Sequence, residues 1–426
     1  MGMLTAPPAP SAGRHRTGRW PRPFRLLYAA ALVHDLGFHV GQLAVPVLAV
    51  ALLAATPGQV GLLGALSTAA FLLIGLPAGV WVDRLPRRTV LVSADLARAA
   101  LVGSVPVAWW AGWLSIEQLY LVVLLTGVGT VFADVAAQSY LPELVGRERL
   151  VAANSLLMGT SATLQIAGRG LGGLAVQALT APVAIVVDAA AFALSAVILR
   201  RIPAGPPREA SRHPAGGFGR QLGAGVRHVF GNPLLRPLAV STAGINLTMQ
   251  LTTTMLPVVF LRELGLGPAA LGLFLGAGGV GALLGALTAR PLAERIGHGR
   301  ALWLPGLLVA PLGGLVPLID GGAMLWLAGV GWLALAWRTG VGNVIGVSLR
   351  QGSTPDRLLG RMNATFRFLL TGALTVGAVV AGLLGQYADV RTSLVVGAVA
   401  NGLTWLPVYC SPLRTLRRPP ESDPNA

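Results

Sequence analysis

Apolar residues in this chain neither alternate with polar ones nor recur on a single helix face. They run on for about 20 or more positions before a short polar break, which is the length a helix needs to cross a bilayer core. Twelve such runs can be marked: 25–54, 58–82, 89–111, 116–138, 152–176, 182–200, 236–261, 267–290, 301–319, 323–349, 363–386 and 391–410. The first is too long for a signal peptide, and eleven more follow it. The pattern predicts an all-α polytopic membrane protein with a disordered N-tail at 1–24, a six-span half at 25–200 and a second at 236–410. A linker at 201–235 joins the halves, with a short amphipathic helix expected near 218–230, and a tail at 411–426 closes the chain.

Composition agrees with a chain whose main solvent is lipid: 54% of residues are hydrophobic and 11% charged, with a mean hydropathy of +0.68. The net charge of +16 is carried by 32 basic residues, all arginine. These do not gather into a nucleic-acid patch, so no nucleic-acid partner is expected. They sort by membrane side instead. On one side lie 26, on the other only Arg262 and Arg391, and Arg98, Arg169, Arg338 and Arg367 fall inside spans. Positive charge is retained inside, which predicts cytoplasmic termini. Cys410 is the lone cysteine, and the six histidines show no metal-ligand spacing. No nucleophile–base pair or phosphate loop stands out, so neither an enzyme nor a cofactor is expected.

The two halves repeat. Asp83-Arg84, after the second run, maps onto Glu294-Arg295, after the eighth, at an offset of 211. PELVGRERLVAAN from Pro142 maps onto PDRLLGRMN from Pro355 at an offset of 213. Two landmarks at nearly one offset indicate an internal duplication.

With these residues in place, the chain from Arg25 to Cys410 resembles the major facilitator superfamily. The loop after the second span carries that family's gating pattern as Gly79, Asp83, Arg84, Arg87 and Arg88, with Pro86 where the family has glycine; Glu294, Arg295 and Arg300 stand in its second-half counterpart. The segments 131–156 and 186–199 are similar to bacterial exporters of siderophores and macrolides. Gly168, Arg169, Gly170, Gly172 and Gly173 resemble the antiporter motif of drug exporters, with Arg169 at the position of its proline. The arginine followed by Gln-Gly that many proton-coupled members carry in the fourth span is absent. The resemblance implies a major facilitator fold of twelve helices in two pseudo-symmetric halves, in a bacterial inner membrane. It further implies a monomeric carrier that exports small lipophilic or amphipathic molecules (drug, antibiotic or siderophore) by proton antiport. Its partners would be the lipid bilayer, the small-molecule substrate and protons. Import of a small polar solute stays open because the seventh span carries Asn246, Thr248, Gln250 and Thr252 to Thr254. A lysophospholipid flippase is a further alternative.

Ionisable residues inside a membrane are costly and are functional candidates by default. Asp35 falls near mid-membrane in the first span and is a candidate for proton uptake, either coupled to Arg169 or fixed in an ion pair with Arg169 or Arg338. Asp95 and Arg98 are three residues apart and can pair on one helix face. Asp188, a position the resemblance marks in the sixth span, suits a helix-packing hydrogen bond or substrate contact. Arg338, beside Trp337, suits an anionic or aromatic substrate, or a counter-ion role to Asp35. The resemblance also places Asp83 near the start of the eleventh span, where Arg367 and unpaired backbone N–H groups would make it a gate latch.

Overall fold

The computed structural model describes residues 20–82, 84–203 and 218–417. The expectations for the outer parts of both tails, for the middle of the linker and for Asp83 lie outside these residues. Among the described residues the chain is helical: α1 (Arg22–Ala51), α2 (Pro57–Val82), α3 (Arg87–Trp110), α4 (Ile116–Val145), α5 (Leu150–Leu179), α6 (Ala181–Arg200), α7 (Phe218–Gly231) and α8 (Leu235–Val258). Then follow α9 (Pro268–Ile296), α10 (His298–Gly313), α11 (Ala323–Gly352), α12 (Asp356–Tyr387), α13 (Val390–Leu403) and α14 (Leu406–Tyr409).

Eleven of the helices are long and apolar enough to cross a membrane. The twelfth apolar run is broken into α13 and α14. Pro407 has no N–H to extend the ladder there, and Thr404 spends its hydroxyl on the Asn401 carbonyl at 2.7 Å. The amphipathic helix expected in the linker is α7, and it is docked. Val229 is fully buried, and Gly225 lies so close to α12 that a Cβ there would meet Thr365 Oγ1 at 2.5 Å and the Arg361 carbonyl oxygen at 2.7 Å.

The core shows how the halves meet. On the face of the bundle away from the two termini, one continuous cluster includes residues from both halves, from Val40, Leu48 and Ile185 to Leu251, Phe260, Leu271 and Trp332. On the face that carries the termini it divides. One cluster there belongs to the first half, around Phe24, Val90, Tyr140 and Leu199. The other belongs to the second half, around Leu235, Ala289, Ile345 and Phe366. The molecule is therefore closed on the far face and open on the terminal face.

Two helix crossings make the far-face closure, and the internal repeat relates them. In α2·α12, a Cβ on Gly382 would stand 2.8 Å from Gly61 Cα. In α5·α9, a Cβ on Gly272 would stand 2.8 Å from Gly173 Cα. Gly61 and Gly272 are 211 residues apart and Gly173 and Gly382 are 209 apart, close to the offsets of the loop landmarks. Small residues allow such close backbone approach in lipid, where association depends on packing rather than on water. Each crossing is crowned by a glutamine from the opposite half. Gln386 on α12 accepts from the Gly58 N–H at 3.2 Å, and Gln177 on α5 accepts from the Ala269 N–H at 3.1 Å. Both N–H groups belong to first helical turns that have no intrahelical acceptor.

Replacing both Gln177 and Gln386 by alanine removes two hydrogen bonds, each worth about 0.5–1.5 kcal/mol. The double variant is expected to label a cysteine placed at Thr254, buried beside Gly64 in this seam, about tenfold faster from the far face than the parent does in a Cys410→Ser background. A labelling rate equal to the parent's would show that the glutamines do not hold the seam.

Candidate functional site

The open face leads to a cavity of about 530 Å³ between α1, α4 and α5. Leu32, Leu157 and Met158 give it an apolar wall, and Asp35, Asp134, Gln138 and Ser161 give it polar groups. Tyr28 and Thr160, also in the lining, bond to each other at 2.8 Å. Asp35 lies thirteen residues into α1, about 20 Å from the helix start. It is half-buried and faces Ser161.

Asp134 is the site residue that the sequence reading passed over. It lies inside the apolar run of the fourth span and would have been found by the same criterion that singled out Asp35. It forms an ion pair with Arg367 of α12 at 3.3 Å, and among the described residues this is the one ion pair between the halves. Arg367 also sits 4.3 Å over the ring of Phe71 on α2. Both partners of the pair are close to half exposed, at 44% and 49% of their side-chain surface, so the bond stands where cavity contents can compete with it. The expected Arg367 contact to Asp83 is not described, because Asp83 lies outside the described residues; the carboxylate that holds Arg367 here is Asp134.

Asp95 and Arg98 of α3 do pair, and both are buried. Ser195 of α6 donates to the second Asp95 oxygen at 2.6 Å. Arg98 reaches Thr130 of α4 at 3.3 Å and covers the Phe192 ring at 4.6 Å. The pair thereby ties three helices of the first half together. Asp188 is buried against α1. A Cβ on Gly41 would stand 2.7 Å from the Asp188 Cγ, which is why α1 is bare there. Its Oδ1 has no hydrogen-bond partner among the described residues.

Arg338 does not balance Asp35. It is held inside the second half by Asn401, at 2.7 Å to Oδ1 and 3.2 Å to the carbonyl, and by Thr404 Oγ1 at 2.5 Å. Asn401 continues to Thr248 of α8 at 2.8 Å, so Arg338 joins α11, α13 and α8, and it is only 5% exposed. The neighbouring Trp337 indole donates to Thr288 at 3.0 Å. Nor are Asp35 and Arg169 an ion pair: Asp35 faces Ser161, and no carboxylate holds Arg169 among the described residues.

The glycines of the antiporter-like motif serve packing. Gly168 and Gly172 lie on His39 and Val40 of α1, and Gly173 lies on α9, while Gly170 only approaches Leu273. Around the gating motif, a Cβ at Gly79 would meet nothing within 4 Å. Arg87 pairs with Glu143 and donates to the Ser139 carbonyl at 2.8 Å, and Arg88 donates to carbonyls at the end of α6. These two arginines therefore staple the terminal-face ends of α3, α4 and α6, while Arg84 is exposed. In the second half Glu294 pairs with Arg290 one turn earlier, at 2.8 Å and in the open, and Arg295 and Arg300 are exposed.

Comparison with known proteins adds three findings. A family model described as transmembrane secretion effector matches residues 21–422. The enterobactin exporter EntS of Citrobacter koseri is 28% identical over 406 residues, covering 93% of this chain and 94% of its own. The EntS of an Escherichia coli O1:K1 strain is 28% identical over 370 residues, 85% of each chain. Among solved structures, the nucleoside transporter NupG superposes with a TM-score of 0.73 at 12% identity, covering 91% of this chain and 98% of that one. An inward-facing bacterial homologue of the iron transporter ferroportin also gives 0.73, at 19% identity and 91% and 98% coverage. At these identities the structural likeness establishes the fold.

The Asp95–Arg98 pair generates a stability prediction. Removing one partner of a buried pair costs about 3–5 kcal/mol because the other charge is stranded. Asp95→Ala should therefore lower the thermal unfolding midpoint of the purified protein clearly, and adding Arg98→Met should recover most of the loss. An Asp95→Ala protein as stable as the parent would show that Arg98 finds other partners.

Proposed function

This chain belongs to the transmembrane secretion effector family, a branch of the major facilitator superfamily, and from that premise we propose that it exports small amphipathic molecules, siderophores foremost, by alternating access and proton antiport. The arginine asymmetry orients the open face toward the cytoplasm of a bacterial inner membrane. The state described here is then the one that loads substrate. The observation that carries the reading is the cavity on that face: it combines an apolar wall with Asp35 and Asp134 and stands open while the opposite side is sealed. A lipophilic body partitions onto Leu32, Leu157 and Met158, and the polar groups fix its orientation. The relatives named for enterobactin export supply the substrate class. The protein acts as a carrier and not as an enzyme, works as a monomer, and takes protons on its cavity carboxylates.

The polar residues of α8, which kept import open, are largely occupied within their own helix. Asn246, Thr248, Thr252 and Thr253 donate to carbonyls of the preceding turn, and Gln250 donates to Thr254. They present few free donors to a polar nutrient, which favours the export reading. The latch role of Asp83 belongs to the outward-open state, in which the terminal-face ends of α2 and α12 would approach.

Expression in an efflux-deficient bacterium is expected to lower cell accumulation of at least one siderophore or lipophilic drug from a broad panel. Energised uptake alone across the panel would reverse the direction proposed. Within the same assay, Asp35→Asn should abolish transport driven by a pH gradient while leaving substrate binding measurable. Transport by Asp35→Asn with the parent's dependence on the gradient would remove Asp35 from coupling.

A further inference from the structure

Four arginines lie inside the predicted spans, and three are held by their own protein. Arg98 pairs with Asp95, Arg367 with Asp134, and Arg338 is bound by Asn401 and Thr404. Arg169 is the exception. It lies deep in α5 and is only partly exposed, and among the described residues no acceptor or carboxylate engages it. The ionisable group beside it is His39, across the Gly168 contact with α1, and this supplies no negative charge. A guanidinium in the membrane with neither an anion nor neutral acceptors is unfavourable unless it faces a water-filled cavity, and there it is available to an anion arriving from outside the protein.

The direction of the side chain says what that anion can be. Met158, Ser161, Gln165 and Arg169 recur at three- and four-residue spacing and so share one face of α5. Met158 and Ser161 line the cavity, and Gln165 is exposed above them. Leu171 and Leu174, exposed at 53% and 49%, point to the lipid. Leu171 lies about 200° around the helix from Arg169, so Arg169 faces away from the bilayer and toward the space between the halves. It also stands one turn short of the Gly173–Gly272 crossing, and its carbonyl oxygen would be 2.6 Å from a Cβ on Gly272. Arg169 thus stands about 12 Å along α5 beyond Ser161, the cavity-lining residue nearest to it on that helix, on the same helix face and next to the seam that must part for release to the far side.

We propose that Arg169 is the seat for an oxyanion of the transported molecule, a carboxylate or a group of similar planar geometry, whose apolar body rests on Leu32, Leu157 and Met158. The assignment rests on reading this cavity as the substrate path. A guanidinium offers paired donors that match such an anion in a bidentate fashion. Because the Arg169 backbone belongs to the seam and its side chain shares the helix face of the cavity-lining Met158 and Ser161, an anion seated on it is bound next to the contact that opens.

The test uses the full-length protein in nanodiscs of zwitterionic lipid. The probes are 1-pyrenebutyrate and its primary amide, read by energy transfer from the protein's ten tryptophans. The parent is expected to bind the carboxylate about tenfold more tightly than the amide, the return for one charge-assisted hydrogen-bonded contact. Arg169→Gln should bind both alike, and Arg169→Lys should keep part of the preference, with unfolding midpoints confirming that both variants are folded. Equal binding of the two probes by the parent, no binding of either, or a preference that survives in Arg169→Gln would overturn the proposal. So would loss of the preference when phosphatidylglycerol is added, since the occupant would then be a lipid headgroup. The export reading fails separately. A carboxylate bound through Arg169 but moved only inward in vesicles leaves the seat standing, and export with no head-group preference removes the seat and leaves export.

Discussion

The structure depends on two places where helix backbones from opposite halves touch. No water is available in a bilayer to drive helices together, so close packing has to supply the attraction. Gly61 against Gly382 and Gly173 against Gly272 let it do so, since any side chain at these positions would fall on backbone. Everything on the far face follows from these contacts. Two crossings related by the repeat define an approximate twofold axis, and around it the apolar core is continuous. Below it, among the described residues, no equivalent crossing joins the halves, and the cavity of the first half stands open there. The trans-capping glutamines, Gln177 and Gln386, share the same symmetry, so the closure is built twice from a single duplicated design.

The second constraint is charge. Each ionised group carried into the membrane needs a partner, and the partners chosen separate structural from mechanistic residues. Asp95 with Arg98, and Arg338 with Asn401 and Thr404, are enclosed within one half each. They hold helices of that half in register and would move with it as a rigid body. Asp134 with Arg367 crosses between halves and is half exposed, where an ion pair is worth about 0–1 kcal/mol. That is weak enough to exchange during a transport cycle. Asp35, with Ser161 opposite it and the Asp134 carboxylate in the same cavity lining, has no cation holding it among the described residues and can respond to the cavity.

Much of this was legible from the chain. Run length sufficed for the spans because a bilayer fixes the length of a helix that crosses it. The loop offset gave the duplication, and the Asp95–Arg98 spacing gave their pair, because three residues is a geometric neighbour on a helix. Pairings between helices distant in sequence were not legible. Arg338 was read as a substrate contact or a counter-ion to Asp35, and the structure gives it neutral oxygens of Asn401 on α13 and Thr404 just past it, since an amide and a hydroxyl close by satisfy the hydrogen-bond donors of a guanidinium. Asp134 was hidden in an apolar run, and no local signal points to Arg367, 233 positions away. The break between α13 and α14 was not anticipated either, although Pro407 marks it.

The two faces of the bundle are held by forces of different range, and this bears on how the molecule alternates. Glycine crossings act through dispersion, which loses about a quarter to a half of its strength over a gap of about 0.5–1 Å, so the far-face seam weakens steeply once it begins to part. Among the described residues the terminal face has no such seam in this state; Asp134 and Arg367 attract over a longer distance and tolerate a gap. A rocking motion that parts the glycines therefore needs compensation from contacts formed on the other side or from a ligand that prefers the open form. A ligand can shift the balance only by the difference in its affinity for the two states. A ligand group seated beside a seam residue, as proposed for Arg169, provides such a difference, because it experiences the parting of the helices directly. The sparse charge set in the first half thus has a mechanical reading: the enclosed pairs keep the half rigid, and the few loosely held groups stand where the halves move.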